Sequence, residues 1–428
     1  MPAGEFRKSG VPALLGTNSR RLAPSCDKVG AAQKIPRVGQ RYLDDTHRNQ
    51  VSSQSSKRTP GPTRKLANVT LRSRNGYLHP STIAATATAL PPHTITREDV
   101  KYYMGRVFDI PERRLEAMMS IVDNAQVHKR HAIFPIDYTV EPRALAKTNQ
   151  EYIEHAIKLG QEATEKCLER ARVRPQEIDL IISVSCTGFM IPAIDAHLIN
   201  RMGFRSDVRR MPFTELGCAA GAMALGRASD FLQAYPGGKV LVLAVELPSL
   251  TFQRKDISQA NLISSILFGD GAAAVVVSGN AAHGPKILTS ETYTFPDSLD
   301  AMGFDLRDSG FHILLSKDVP EMIGAKIRSL VDCFFMRHGV TQQDIKGWIM
   351  HPGGARLLSN LEENLGLSKS DTQPSWDILA NVGNLSSATI LFILQEWLEK
   401  RPLQPNDLAF AGAFGPGFSA EFLLLQWN

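Results

Sequence analysis

Two stretches of the 428-residue chain repeat one pattern, and that repeat limits the folds open to it. In the first, Ile153, Ala156, Ile157, Ala163, Cys167, Leu168 and Ala171 recur at helical spacing, which predicts an amphipathic helix. An Arg174-Pro175 turn follows, then the almost continuous apolar run 178–184, the pattern of a strand buried on both faces. In the second stretch, Met322, Ile323, Ile327, Leu330, Val331 and Phe334 predict another helix, and residues 341–344 lead into the apolar strand Ile345–Met350. The spacing continues to agree, with 32 residues from Cys186 to Cys218 and 33 from His351 to Asn384. A helix and a further apolar strand come after each endpoint, 219–234 then 240–245, and 386–400 then 408–411. The chain therefore reads as α/β, built from two copies of one βαβ-type module. Cys218, His351 and Asn384 fall at junctions where strands give way to helices or loops, the places where functional groups gather in such architectures.

Composition excludes several alternatives. Hydrophobic residues at 43% and charged residues at 21% suffice for a large core, against a collagen-like or coiled-coil chain. No apolar run reaches the roughly 18 residues of a membrane span, so no integral membrane contact is expected. The five cysteines (Cys26, Cys167, Cys186, Cys218, Cys333) are scattered without a CxxC pair, which argues against a disulfide framework or a metal site and for a cytoplasmic setting. Residues 1–80 carry 15 Lys/Arg and 4 acids, whereas the remainder holds 33 bases and 39 acids. Such an Arg- and Ser-rich, acid-poor segment predicts a disordered basic extension, with organelle import or tethering as alternatives. The mildly acidic body lacks the basic–aromatic interleaving of a nucleic-acid binder.

Three local sequences carry chemistry. In Glu215-Leu216-Gly217-Cys218-Ala219-Ala220-Gly221, small residues surround a thiol at the start of an Ala-rich helix, where the dipole would favour a thiolate. A buried, inert cysteine is the alternative. Trp348-Ile349-Met350-His351-Pro352-Gly353-Gly354 sets an imidazole just beyond a buried strand, able to pair with a thiolate or donate to a carbonyl oxygen. Gly383-Asn384-Leu385-Ser386-Ser387-Ala388 offers a carboxamide suited to a developing oxyanion, although an asparagine there also makes a helix N-cap.

These three motifs, with Leu267-Phe268-Gly269-Asp270-Gly271 and Phe414-Gly415-Pro416-Gly417, resemble those of type III polyketide synthases, the chalcone synthase superfamily, from about residue 82 to the end. The resemblance implies a thiolase fold, αβαβα layers from two duplicated halves, divided here as 81–285 and 286–428, and a homodimer. It implies that Cys218 is acylated by an acyl-CoA starter, and that His351 and Asn384 stabilise the enolate from decarboxylating malonyl-CoA, with no cofactor beyond these substrates. A thiolate–imidazolium pair would keep the sulfur ionised. By the same resemblance Phe268 is a gatekeeper and Ile191 reaches into the partner's cavity. Cys186, Thr251 and Ser386 line the cavity, and Gly415, Pro416 and Gly417 form its wall.

Two departures separate this chain from plant members. The second gatekeeper aromatic is replaced near Ile313, with Phe311 beside it, and the basic residues for CoA phosphates are not evident in 117–124. Arg113, Arg114, Lys129 and Arg130 are nearby candidates. Residues 245–253 look more like microbial members that extend long-chain acyl starters to alkylresorcinols or alkylpyrones, since a tunnel gains about 0.8 kcal/mol per buried CH₂. The alternatives on the same fold are β-ketoacyl-ACP synthase III, which the His-Pro-Gly-Gly and Phe-Gly-Pro-Gly motifs disfavour, and hydroxymethylglutaryl-CoA synthase, for which Glu215 lies too near Cys218.

Overall fold

The computed structural model describes residues 78–401 and 403–428; most of the 1–80 extension lies outside the described residues. The strands are β1 (Ser81–Ala89), β2 (His93–Thr96), β3 (Lys129–Ala132), β4 (Leu180–Val184), β5 (Arg209–Phe213), β6 (Lys239–Glu246) and β7 (Gly271–Ser278), then β8 (Lys286–Thr294), β9 (Met302–Arg307), β10 (Gly310–Leu315), β11 (Ile345–Met350), β12 (Leu408–Gly415) and β13 (Ser419–Gln426). Nine of them form one sheet in the order β11-β12-β13-β8-β1-β7-β6-β4-β5.

The duplication is visible in strand direction. β4 runs parallel to β6, β6 antiparallel to β7, and β7 antiparallel to β1. In the same sense β11 runs parallel to β12, β12 antiparallel to β13, and β13 antiparallel to β8. The expected two sheets are continuous through a narrow junction, where β1 pairs with β8 only at Ser81–Ile287 and Thr82–Lys286. The turns before β4 and β11 match as well: Pro175–Glu177 and Gln342–Asp344 are each a short 3₁₀ turn closed by an acid at its third position.

Side-chain alternation explains why these strands read as unbroken apolar runs. Leu180, Ile182 and Val184 point to one cluster, while Ile181 points to another. Val240, Val242 and Ala244 alternate with Leu241, Leu243 and Val245 in the same way. Both faces are covered, so neither can be polar. On one outer face lies the helix Leu145–Ala171, and on the other Val319–His338, whose Phe334 and Phe335 meet Phe410 edge-on at ring centroids 5.5 and 5.4 Å apart. Between the half-sheets run Ala220–Ala234 and Thr389–Lys400, each touching strands of both halves. That is the αβαβα layering expected from the sequence.

Glu421 is one of several acids buried in this core. Glu421 on β13 accepts from Thr292 Oγ1 at 2.8 Å, its other carboxyl oxygen has no partner, and burial pushes its pKa from 4.5 up to about 7. A raised acid favours the fold only while protonated, so this contribution is present below about pH 4.5 and lost as pH rises through about 7. Glu421→Gln should therefore raise stability at pH 8 by about 1–3 kcal/mol relative to wild type and change little at pH 4.5, as followed by urea melts.

Candidate active site

Cys218 lies in the 3₁₀ turn Gly217–Ala219 that runs into the helix Ala220–Ala234. The turn can approach its surroundings because the residues about it are small. A Cβ on Gly221 would come within 2.2 Å of Ser387 O, so glycine lets the nucleophile helix pack directly on the 386–388 turn. This closeness places Cys218 Sγ 3.5 Å from Ser386 Oγ.

His351 follows β11, and its backbone N–H extends the parallel pairing by donating to Gly412 O at 2.8 Å. Pro352-Gly353-Gly354 then ends the strand before the helix Ala355–Leu365. Asn384 is held from both sides of Phe268: its N–H donates to Leu267 O at 2.9 Å and its carbonyl accepts from Gly269 N at 3.0 Å. Its carboxamide is fixed as firmly. Oδ1 accepts from Ser386 N at 2.8 Å and Thr389 Oγ1 at 3.3 Å, and Nδ2 donates to Gly353 O at 2.9 Å. An amide carries two N–H groups, so one remains for a ligand. The loops of all three residues are thereby tied together, Cys218 to Ser386, Ser386 to Asn384, and Asn384 to the glycine two residues past His351.

The expected ion pair is absent. Neither ring nitrogen of His351 has a hydrogen-bond partner among the described residues, and burial alone holds its pKa near 4. Burial likewise pushes the Cys218 thiol up to about 12; Ser386 lowers it and the Glu246 carboxyl raises it further. The helix start was expected to favour a thiolate, but here desolvation outweighs it and no cation is in contact to repay the cost of charge. Thiol and imidazole are both neutral at pH 7.

The site opens on a cavity of about 350 Å³. Of the residues singled out from sequence, Cys218, Cys186, Ser386 and Phe268 line it, as do Thr251, Ile313 and Pro416. Thr251 spends its hydroxyl on Pro248 O at 2.8 Å. Ile313 and Phe311 both face the cavity, because residues two apart on a strand share a face. Phe311 is packed edge-to-face on Phe304, with centroids 5.7 Å apart.

Other expectations are displaced. Gly415 and Gly417 are not lining residues: a Cβ on Gly415 would meet Leu216 O at 2.6 Å and Ala219 N at 2.7 Å, so Gly415 supports the Cys218 turn from behind. Gly417, at φ +126°, makes the β12–β13 turn. Ile191, expected to act in a partner's cavity, is 82% exposed and does not line this one. Arg130 cannot serve as a surface cation for phosphates, since it is buried and donates to Ser265 O and Ile266 O at 2.5 and 3.2 Å. His351 and Asn384, each about 1% exposed, are not among the residues that line the cavity.

Sequence reading passed over Glu246. It ends the apolar strand β6, fully buried, and receives Thr187 Oγ1 at 2.8 Å, Cys186 N at 3.1 Å and Ser387 Oγ, with the Cys186 thiol 3.6 Å away. Burial raises its pKa and that of Cys186. The signal available was an acid closing a strand otherwise apolar on both faces.

Residues 68–281 match the family described as chalcone and stilbene synthases, N-terminal domain, and residues 286–427 its C-terminal domain. A putative chalcone synthase of Bacillus subtilis is 33% identical over 81% of this chain and 98% of its own length. A 1,3,6,8-tetrahydroxynaphthalene synthase of Streptomyces peucetius is 35% identical over 81% of this chain and 93% of its own. Among solved structures, the tetrahydroxynaphthalene synthase of Streptomyces coelicolor, a bacterial type III polyketide synthase, superposes with a TM-score of 0.79 at 34% identity, covering 81% of this chain and 99% of that one.

Proposed function

Because the chain belongs to the chalcone and stilbene synthase family of type III polyketide synthases, condensing acyltransferases that use CoA-linked substrates without a further cofactor, we propose that Cys218, His351 and Asn384 carry its reaction. Cys218 attacks the thioester of an acyl-CoA starter, its proton passes to the neutral His351 ring, and CoA leaves as the thiol. Malonyl-CoA then loses CO₂, and negative charge develops on its thioester oxygen. The free N–H of Asn384 and an N–H of His351 stabilise that charge in the transition state more than in the ground state. The enolate carbon attacks the acyl-cysteine, and the sulfur is released for the next round.

The observation that carries this reading is a pair of buried, under-used donors tied to the nucleophile's turn: an imidazole without partners and a carboxamide with one N–H to spare. Buried polar groups are seldom left unpaired without a role. Incubation with ¹⁴C-malonyl-CoA and a panel of acyl-CoA starters tests it, with labelled polyketide expected from at least one starter. Absence of label in every product would refute it.

For the starter, the reading from sequence is a long alkyl chain cyclised to an alkylresorcinol or alkylpyrone. The apolar wall of Ile95, Met302, Phe304, Phe311 and Ile313 supports it. A second reading is a short or malonyl starter closed to a polyhydroxylated aromatic. The relatives named for tetrahydroxynaphthalene favour this second reading. The panel separates the two by which starter is consumed fastest.

The protein is further proposed to be a homodimer, with the exposed Phe189 and Ile191 seated against the partner. A solution mass of two chains by sedimentation is the expected result; a single-chain mass at micromolar concentration would contradict it.

A further inference from the structure

The cavity wall carries a histidine, His131, that the proposed steps leave unused. His131 lies on β3 and lines the wall beside Ile95, Ala132 and Thr139. Its backbone is pinned, since its carbonyl accepts from Asp270 N at 2.8 Å, two residues beyond Phe268, and Thr94 pairs with it across β2. Its Nδ1 lies 3.1 Å from Pro91 O. A carbonyl can only accept, so Nδ1 carries the proton and Nε2 is left with its lone pair. Nε2 has no hydrogen-bond partner among the described residues and is not sealed in the core. Burial lowers the pKa of the ring below that of a free imidazole, against the Pro91 hydrogen bond and with help from the nearby Lys129 charge, so the ring is neutral at pH 7 with its lone pair available.

The other acids and bases at the cavity are less suited to accept a proton from a bound chain. Glu215 is exposed to solvent, Glu246 is buried behind Cys186 with its oxygens already bonded, and Arg130 is a cation. His351 is committed to the thioester end.

We propose that His131 is the base for ring closure on the bound poly-β-ketoacyl chain. The inference rests on the polyketide synthase reading and assigns a residue to its last step. Nε2 takes a proton from a methylene lying between two carbonyls, and the resulting carbanion bonds to a carbonyl carbon further along the chain. In an aldol closure the alkoxide so formed recovers the proton from the imidazolium. In a Claisen closure the Cys218 sulfur leaves and recovers it. No oxidant or reductant is consumed in either case.

His131→Asn provides the test, because its amide N–H can still donate to Pro91 O while the lone pair of Nε2 is gone. With acyl-CoA and ¹⁴C-malonyl-CoA, loading of Cys218 by intact mass and release of ¹⁴CO₂ are expected to stay within about twofold of wild type. The ring product is expected to fall about 100-fold, replaced by linear acids and spontaneously formed lactones. Imidazole added to His131→Ala should restore part of the ring product. A wild-type product profile from His131→Asn overturns the proposal, and so does a parallel fall in loading, CO₂ release and ring closure. Wild-type protein that releases no ¹⁴CO₂ from malonyl-CoA overturns the underlying reading, and this one with it.

Discussion

Cys218→Ala is expected to fold normally and to make no polyketide. The side chain is small and buried in a turn whose neighbours are alanine and glycine, and its thiol makes one weak contact, to Ser386 at 3.5 Å. Its removal should cost about 1 kcal/mol or less in urea melts, since a single buried hydrogen bond is worth roughly that. The chemical loss is of another order. Without a sulfur to hold the chain there is no thioester to extend, and removal of a covalent nucleophile typically lowers turnover by about 10⁴-fold or more. Intact mass after incubation with the preferred acyl-CoA should show the acyl adduct on wild type and none on the variant. Release of CO₂ from malonyl-CoA should persist in the variant, because that step is assigned in the proposal to His351 and Asn384. A Cys218→Ala protein that still forms product would remove the nucleophile from this residue, and Cys186, the other thiol at the cavity, would be the next to examine.

Asn384→Ala should separate the two half-reactions. The carboxamide's geometry is set by Ser386 N, Thr389 Oγ1 and Gly353 O, so its free N–H is already oriented before malonyl-CoA arrives. Losing one preorganised donor to a developing oxyanion costs about 10²–10³ in rate, and CO₂ release should fall by that amount. Acyl loading, which does not draw on this donor, should change by no more than a few fold. The truncation also leaves Ser386 N without its acceptor, a destabilisation of about 1–3 kcal/mol that melts would register separately. Equal loss of loading and CO₂ release would contradict the division of labour. His351→Ala should depress both, because the ring serves both steps. With that ring titrating at about 4, CO₂ release by wild type should show no break near pH 6.5, where an ordinary histidine would place one.

Much of this was legible in the residues. The helical stripe from Ile153 to Ala171 became part of Leu145–Ala171, and the strand Ile345–Met350 is found at those bounds. Turn and cap residues and an unbroken apolar run are local signals, and here nothing tertiary opposed them. The site was legible for a different reason: Cys218, His351 and Asn384 stand where strand ends must bring them, and the five motifs around them are specific. The state of that site was not legible. A thiol at a helix start suggests a thiolate, and only burial without a contacting cation reverses the sign. Arg130 reads as a surface cation until the carbonyls of residues 265 and 266 are seen to enclose it. His131 carries no local mark, since its role depends on Pro91, forty residues earlier, capturing one ring nitrogen.

By itself the order of residues determined the layered duplication and singled out the three side chains proposed to react. Periodicity sets which faces are apolar, and repetition sets where equivalent junctions fall. Charge state, the volume left for a growing chain and the direction of each lone pair were decided only by tertiary structure. Those quantities depend on which distant atoms close around a group and exclude water from it, and chain order does not specify that.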